Sequence, residues 1–167
     1  MDPGQERRLD ELYRHHVPEM VRLAYVVTGE AAAAEDLAQE AFVRAAGRFA
    51  HLRNRDAFGA YLRRALLNLC KNHFRRRDTE RAYLAAQQPP DATHPQAALD
   101  SADVVRAALL RLPVRQRAAL ALRFFEDLSV EESARALGCR PGTVKSLTSR
   151  ALETLRVELA AEEVDPA

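Results

Sequence analysis

Residues 131–156 read EESARALGCRPGTVKSLTSRALETLR, two helix-forming runs around a Gly-Cys-Arg-Pro-Gly corner. Ser129, followed three residues later by Glu132, has the form of a capping box that starts the first run. Gly138 supplies a left-handed stop, and Pro141 suits the first turn of the next helix. Two helices joined this tightly form a helix-turn-helix, whose second helix enters a DNA major groove by its N-terminal end. There Thr143, Lys145, Ser146, Ser149 and Arg150 offer donors to phosphates and base edges, and Val144, Ala151, Leu152 and Leu155 fall on the inward face. A plain αα-hairpin of a bundle would use the same spacing.

Working outward, the 167 residues are 47% hydrophobic and 29% charged, so the chain can bury a core and wholesale disorder is excluded. Ala, Leu, Arg and Glu abound, and no stretch alternates with period two. The fold class is all-α. The segment AAQQPPDATHPQAALDSAD (85–103) carries three prolines and no basic residue, and reads as a flexible linker between two small helical domains. We assign residues 1–81 to the first domain, 82–103 to the linker and 104–160 to the second.

In the first domain, apolar residues from Leu9 to Val27 recur at helical spacing, with Pro18 expected to bend or restart the helix. Thr28-Gly29 closes it. Glu30 opens a helix to about Phe49, and Asp56 is the expected N-cap of a third helix running to about Arg77. In the second domain, helices are expected near 100–111, 114–126, 129–137 and 141–158.

Charge is unevenly spread. Residues 44–81 hold 11 basic and 3 acidic side chains and residues 105–160 hold 10 and 6, whereas residues 1–43 hold 4 and 9. Two basic blocks on a chain of net charge +1 suit two separate contacts with a polyanion. The same charges could also lie on solvated helix faces.

Several chemistries fall away. Gly138 and Gly142 followed by Thr-Val-Lys-Ser fail the phosphate-loop spacing, and no strand precedes them. Cys70 and His73 make at most half a metal site, with no partner pair at ligand spacing. Glu131 and Glu132 diverge on a helix surface. No nucleophile–base arrangement emerges, so neither an enzyme nor a cofactor nor a metal is expected. Two cysteines give no disulfide framework, no apolar run reaches the roughly 18 residues of a membrane span, and the charged N-terminus lacks a signal-peptide core. A cytoplasmic location without membrane insertion follows.

Three longer stretches carry a family resemblance. LPVRQRAALALRFFEDLSVEESARALGCRPGTVKSLTSRALETLR (112–156) resembles the C-terminal domain of bacterial RNA polymerase sigma factors of the extracytoplasmic-function (ECF) group. EDLAQEAFVRAAGRF (35–49) is similar to that group's polymerase-binding helix, and DAFGAYLRRALLNLCKNHFRRR (56–77) to its promoter-melting segment. The resemblance implies that Asp36, Gln39, Glu40, Phe42 and Arg44 dock on the core enzyme of RNA polymerase. It implies that the 51–59 loop and the helix beyond it unstack the minus-ten element of promoter DNA through Phe58, Tyr61, Asn68, Lys71, Arg75, Arg76 and Arg77. Lys145, Ser146, Ser149 and Arg150 would read the minus-thirty-five element. An anti-sigma protein would then supply control, since no long extension is present to sense a signal.

The chain departs from the family pattern at Tyr61, where tryptophan is usual, and at Leu147 and Thr148, where a basic and an apolar residue stand exchanged. Ser133 replaces a large aliphatic. A free-standing operator-binding regulator is the alternative, but it has no need of a strand-opening surface. A helical adaptor that binds only protein would leave both basic blocks unexplained.

Overall fold

The computed structural model describes residues 2–51, 54–87 and 100–164. Among them there is no strand. Helices α1 (Pro3–Thr28), α2 (Ala31–Gly47) and α3 (Arg55–Ala85) form the first half, with a short 3-10 turn at Phe49–His51. Helices α4 (Ser101–Arg111), α5 (Val114–Leu120), α6 (Val130–Leu137) and α7 (Pro141–Val164) form the second.

The first half is a three-helix bundle. Met20, Leu23, Ala24 and Val27 of α1 meet Ala34, Ala38 and Ala41 of α2 and Phe58, Leu62 and Leu66 of α3, all essentially without exposure. Alanines three and four residues apart give α2 a shallow face on which the bulky ridges of its neighbours pack closely. Phe58 is the centre of this core: its ring lies 5.6 Å from that of His16, 5.7 Å from Phe42 and 6.1 Å from Phe49. Gly59 lets α3 cross α1, because a Cβ there would stand 3.1 Å from the Cε1 of His16.

Four expectations for this half change. Pro18 does not restart the helix: α1 runs unbroken through it to Thr28, and Gly29, at φ 72°, closes it. The ring of Pro18 and the carbonyl-bearing Arg14 are both exposed, so water can replace the missing helical hydrogen bond. The N-cap of α3 is Asn54, whose side chain accepts from the Ala57 N–H at 2.7 Å; Asp56 instead lies in the first turn. α3 continues two turns past Arg77 to Ala85, so the first residues of the expected linker are helical, as are its last, which open α4. The centre of that linker, 88–99, lies outside the described residues. Finally, Phe58 is fully buried, and its ring is not available to stack on a base.

In the second half, Leu112, Leu120 and Ala151 form a small core with Leu109, Leu152 and Leu155 against it. α5 widens into a π turn over Ala121–Phe125, closed by the Glu126 N–H donating to the Ala121 carbonyl at 3.0 Å. Asp127 then turns the chain with φ 53°, a conformation short polar side chains tolerate. The capping box forms as expected: Ser129 Oγ accepts from the Glu132 N–H at 3.0 Å, and the Glu132 carboxylate accepts from the Ser129 N–H at 2.8 Å. Hydrogen bonding from the Ser129 N–H, and then from the Ser129 side chain, holds the Glu132 carboxyl below its usual range. Ser133, beneath this helix, is fully buried and its hydroxyl has no partner.

The halves are closed on each other. Ala118, Ala121, Leu122 and Ala136 belong to the same apolar cluster as the three-helix bundle.

Two outcomes test this packing. Phe58→Ala is expected to cost about 3–5 kcal/mol in denaturant unfolding, as for other large core aromatics; a loss below about 1 kcal/mol would put the ring outside the core. His16 is buried with neither ring nitrogen hydrogen-bonded. Burial, and then the neighbouring His15, lower its pKa from 6.5, so the fold holds it neutral. The unfolded chain takes up that proton first, so stability should fall as pH drops below 6.5. Replacing His16 with Leu should flatten the urea midpoint between neutral and mildly acidic pH, and an unaltered slope would assign the effect elsewhere.

Candidate nucleic-acid interface

The turn between α6 and α7 is set by Gly138, whose φ of 64° ends α6 and frees Pro141 to begin α7. Val144 and Ala151 anchor α7 inward with no exposure, and Leu152 and Leu155 pack partly behind them. That anchoring fixes the opposite face. Lys145, Ser146, Ser149 and Arg150 are exposed together on it, and Thr143 is half-buried at its start. Thr148 turns its hydroxyl back to the Val144 carbonyl at 2.8 Å, so it is occupied within the helix. The exposed set carries donors and two positive charges on the first turns of the helix, which suits phosphate and base-edge contact.

On α3 the helical period sorts the expected residues. Tyr61, Asn68, Lys71 and Arg75 fall three, four or seven residues apart and share one stripe, and Arg64 joins them. Asn68, Lys71, Arg75 and Arg64 are exposed; Tyr61 is half-buried against the core. Arg76 is exposed at the flank of the stripe. Arg77 points elsewhere, forming an ion pair with Glu30 at the head of α2, where His73 Nε2 also stands 3.7 Å away. It therefore ties α3 to α2 in this arrangement and is not a free cation.

Asp36, Gln39, Glu40 and Arg44 are exposed on the outer face of α2, with Arg44 donating to Glu40 at 2.6 Å. Phe42 is nearly buried, its ring edge-on to Tyr13 at 5.0 Å, so its larger part is core. Val43, which sequence reading passed over, is 70% exposed among these polar groups.

Other groups that sequence reading missed join the two halves. Arg117 is almost fully buried, with its guanidinium 4.9 Å over the Phe74 ring and one N–H donating to the Leu109 carbonyl at 3.3 Å. Burial lowers its pKa, yet an arginine stays charged, and the aromatic face offsets part of the cost. Arg63 Nε stands 3.8 Å from the Glu126 carboxylate, whose pKa burial raises against the pull of Arg63. Arg106 lies over the Tyr25 ring and donates to its hydroxyl at 2.6 Å.

Among the described residues no group of three or more His, Cys, Asp or Glu side chains could hold a metal ion. Cys70 is buried and its thiol is pushed up to about 12 by desolvation, so it is a neutral core group rather than a thiolate ligand. Among the same residues no helix is long and apolar enough to cross a membrane.

With this geometry in view, comparison with known proteins is specific. The model of sigma-70 region 2 matches residues 12–80, and that of sigma-70 region 4 matches residues 102–155. The chain is 35% identical to an RNA polymerase sigma-E factor of Streptomyces avermitilis, over 99% of its own length and 92% of that protein's. It is 32% identical to the ECF RNA polymerase sigma factor SigM of Mycobacterium tuberculosis, covering 89% of this chain and 75% of that one. Among solved structures, the sigma factor RpoE of Bartonella quintana, in complex with the anti-sigma factor NepR, aligns with a TM-score of 0.74 at 26% identity, over 92% of this chain and 98% of that one. CnrH, in complex with the cytosolic domain of CnrY, shares the fold at a TM-score of 0.69 and 23% identity, over 94% and 90% of the two chains. An exposed polar face on α7, a basic stripe on α3 and both halves of a sigma-70 architecture lie in order on one chain, which belongs to the extracytoplasmic-function group of RNA polymerase sigma factors.

Proposed function

We propose that this chain directs the core enzyme of RNA polymerase to particular promoters, reading the minus-thirty-five element with α7 and opening the minus-ten element with α3. The observation that carries this reading is the pairing of two distinct DNA-facing surfaces on one chain. α7 exposes Lys145, Ser146, Ser149 and Arg150 together, and α3 exposes Asn68, Lys71 and Arg75 along a separate stripe. A duplex reader alone needs only the first. The second suits single strands, where cations track the backbone and an amide can bond to the edge of an unstacked base.

The domains assigned to these tasks are 1–81 and 104–160, with 82–103 between them. The outer face of α2, with Asp36, Gln39, Glu40, Arg44 and the exposed Val43, docks on the polymerase. The chain itself performs no catalysis: it supplies binding and strand separation, while the polymerase makes RNA. It works in the cytoplasm, beside the polymerase. The sigma factor RpoE, solved in complex with the anti-sigma factor NepR, supports control of this chain by a protein of that kind.

Reversing charge at Asp36 and Glu40 together should weaken capture of core polymerase by the full chain while leaving helicity unchanged. Capture equal to that of the parent would remove α2 from the docking face. On DNA the two surfaces should separate. Arg150→Ala should cost about 1–3 kcal/mol of duplex affinity if it reads a base edge, with relaxed preference at one position. A phosphate contact would weaken all sequences alike and lower the salt slope by about one. Asn68→Ala should leave closed-complex binding intact and reduce permanganate reactivity of minus-ten thymines. The reverse pattern, normal opening with Asn68→Ala and blocked opening with Arg150→Ala, would exchange the roles of the two helices.

A further inference from the structure

Several cations on and around α3 are matched to a partner. Arg63 has the Glu126 carboxylate 3.8 Å away, Arg77 pairs with Glu30, and Arg117 lies on the Phe74 ring. Arg64 and Lys71 break that pattern. Both are exposed and line a crevice of about 320 Å³, and a third exposed cation, Arg115 of α5, lines it from the other half. Among the described residues none of the three has a carboxylate within ion-pair distance, and no acidic side chain lines the crevice. Arg64 reaches toward the second half: its Nη2 lies 3.6 Å from where a Cβ on Gly138 would stand.

Three like charges around one small volume repel one another, and low-dielectric walls focus that field more than an open surface would. An anion lodged among them turns the repulsion into attraction. The deeper lining is of another kind: Val27 is fully buried, Leu67 nearly so, and Val114 and Leu137 are half-buried beside them. An apolar floor with a few convergent polar groups is the usual make-up of a small-molecule site, and this volume stands at the low end of their roughly 300–1,000 Å³. It excludes an oligonucleotide and admits a mononucleotide. Charge narrows the choice, because one phosphate monoester carries only about −2 at neutral pH, short of three cations. A second phosphoryl group closes that gap. Asn68 lines the same crevice, and its amide offers both donors and an acceptor to the edge of a base.

We propose that the crevice between α3 and α5 is a binding site for a free nucleoside diphosphate, with Arg64, Lys71 and Arg115 on the phosphates, Asn68 at the base edge and the apolar floor beneath the sugar and base. This goes beyond the promoter reading, since a diffusible nucleotide held by cations of both halves requires no DNA strand. Arg115 is the group that sets the two apart. The strand surface proposed above runs along α3 through Asn68, Lys71 and Arg75 without it, and Arg75 does not line the crevice.

The test uses the full chain without polymerase or DNA. Isothermal titration calorimetry should show saturable binding of ADP or GDP at one site per chain, of inorganic pyrophosphate about tenfold more weakly, and of adenosine not at all. Arg115→Ser and Lys71→Ser should each weaken nucleotide binding about tenfold, the size expected when a hydrogen bond between charged groups is lost. Arg7→Ser removes an equal charge from the exposed start of α1 and should bind as the parent does. Circular dichroism confirms that the variants keep their helicity. Photolabelling with azido-ADP, followed by peptide mapping, should mark peptides from 64–71 and 114–118. No saturable binding of either nucleotide, unaltered binding by Arg115→Ser, or label confined to 145–150 would overturn the site. Pyrophosphate binding as tightly as the nucleotides would overturn it as a nucleotide site. None of these outcomes bears on the strand-opening role of α3, which the permanganate assay of Asn68→Ala tests separately.

Discussion

α3 is asked to be two things at once, and the 3.6-residue period decides how. Phe58, Leu62, Leu66, Leu69 and Cys70 turn one side of it into the central ridge of the three-helix bundle. That leaves a different angular sector for Arg64, Asn68, Lys71 and Arg75. Neither face can shift without the other, because a rotation of α3 that moved Asn68 would pull Phe58 from between His16, Phe42 and Phe49. The geometry of this exposed polar stripe is thus inherited from the packing of the core. Gly59 serves the same end, since the close crossing with α1 fixes where α3 can lie.

The second half shows the same economy on a smaller scale. A capping box, a left-handed glycine and two fully buried residues, Val144 and Ala151, suffice to aim α7. The core beneath is small, and Ser133 leaves a buried hydroxyl unbonded there, at a cost of about 1–3 kcal/mol for such a group. A half with so modest a core gains from leaning on its neighbour. The shared cluster of Ala118, Ala121, Leu122 and Ala136 with the bundle supplies that support in the closed chain.

Local signals in the sequence located most of the helices because their causes are local. Ser129 with Glu132, Gly138 and Gly29 each act within four residues, and each formed as read. Pro18 was misjudged because its cost depends on whether the freed carbonyl meets water, which only the packed helix reveals. Asn54 took the cap from Asp56 because both are good caps and the chain entry chooses between them. At the interface, the α7 residues were legible from spacing, and Arg64 was within reach of the same rule once Asn68, Lys71 and Arg75 were aligned. Phe58 was not legible, since an aromatic beside a basic helix suits a base or a core equally well. Arg117 on Phe74 and Glu126 with Arg63 join residues more than forty positions apart, and no local pattern announces such pairs.

Everything in this account turns on the chain acting with polymerase and not merely on DNA. The direct measurement is transcription by core polymerase, with and without the purified chain, on a randomised promoter library, reading start sites by sequencing the transcripts. A chain that works with the polymerase should create new start sites that require it and share two upstream elements at fixed spacing. Start sites that are the same with and without it, while the chain still binds a duplex sequence, would contradict the account and leave an operator-binding regulator in its place.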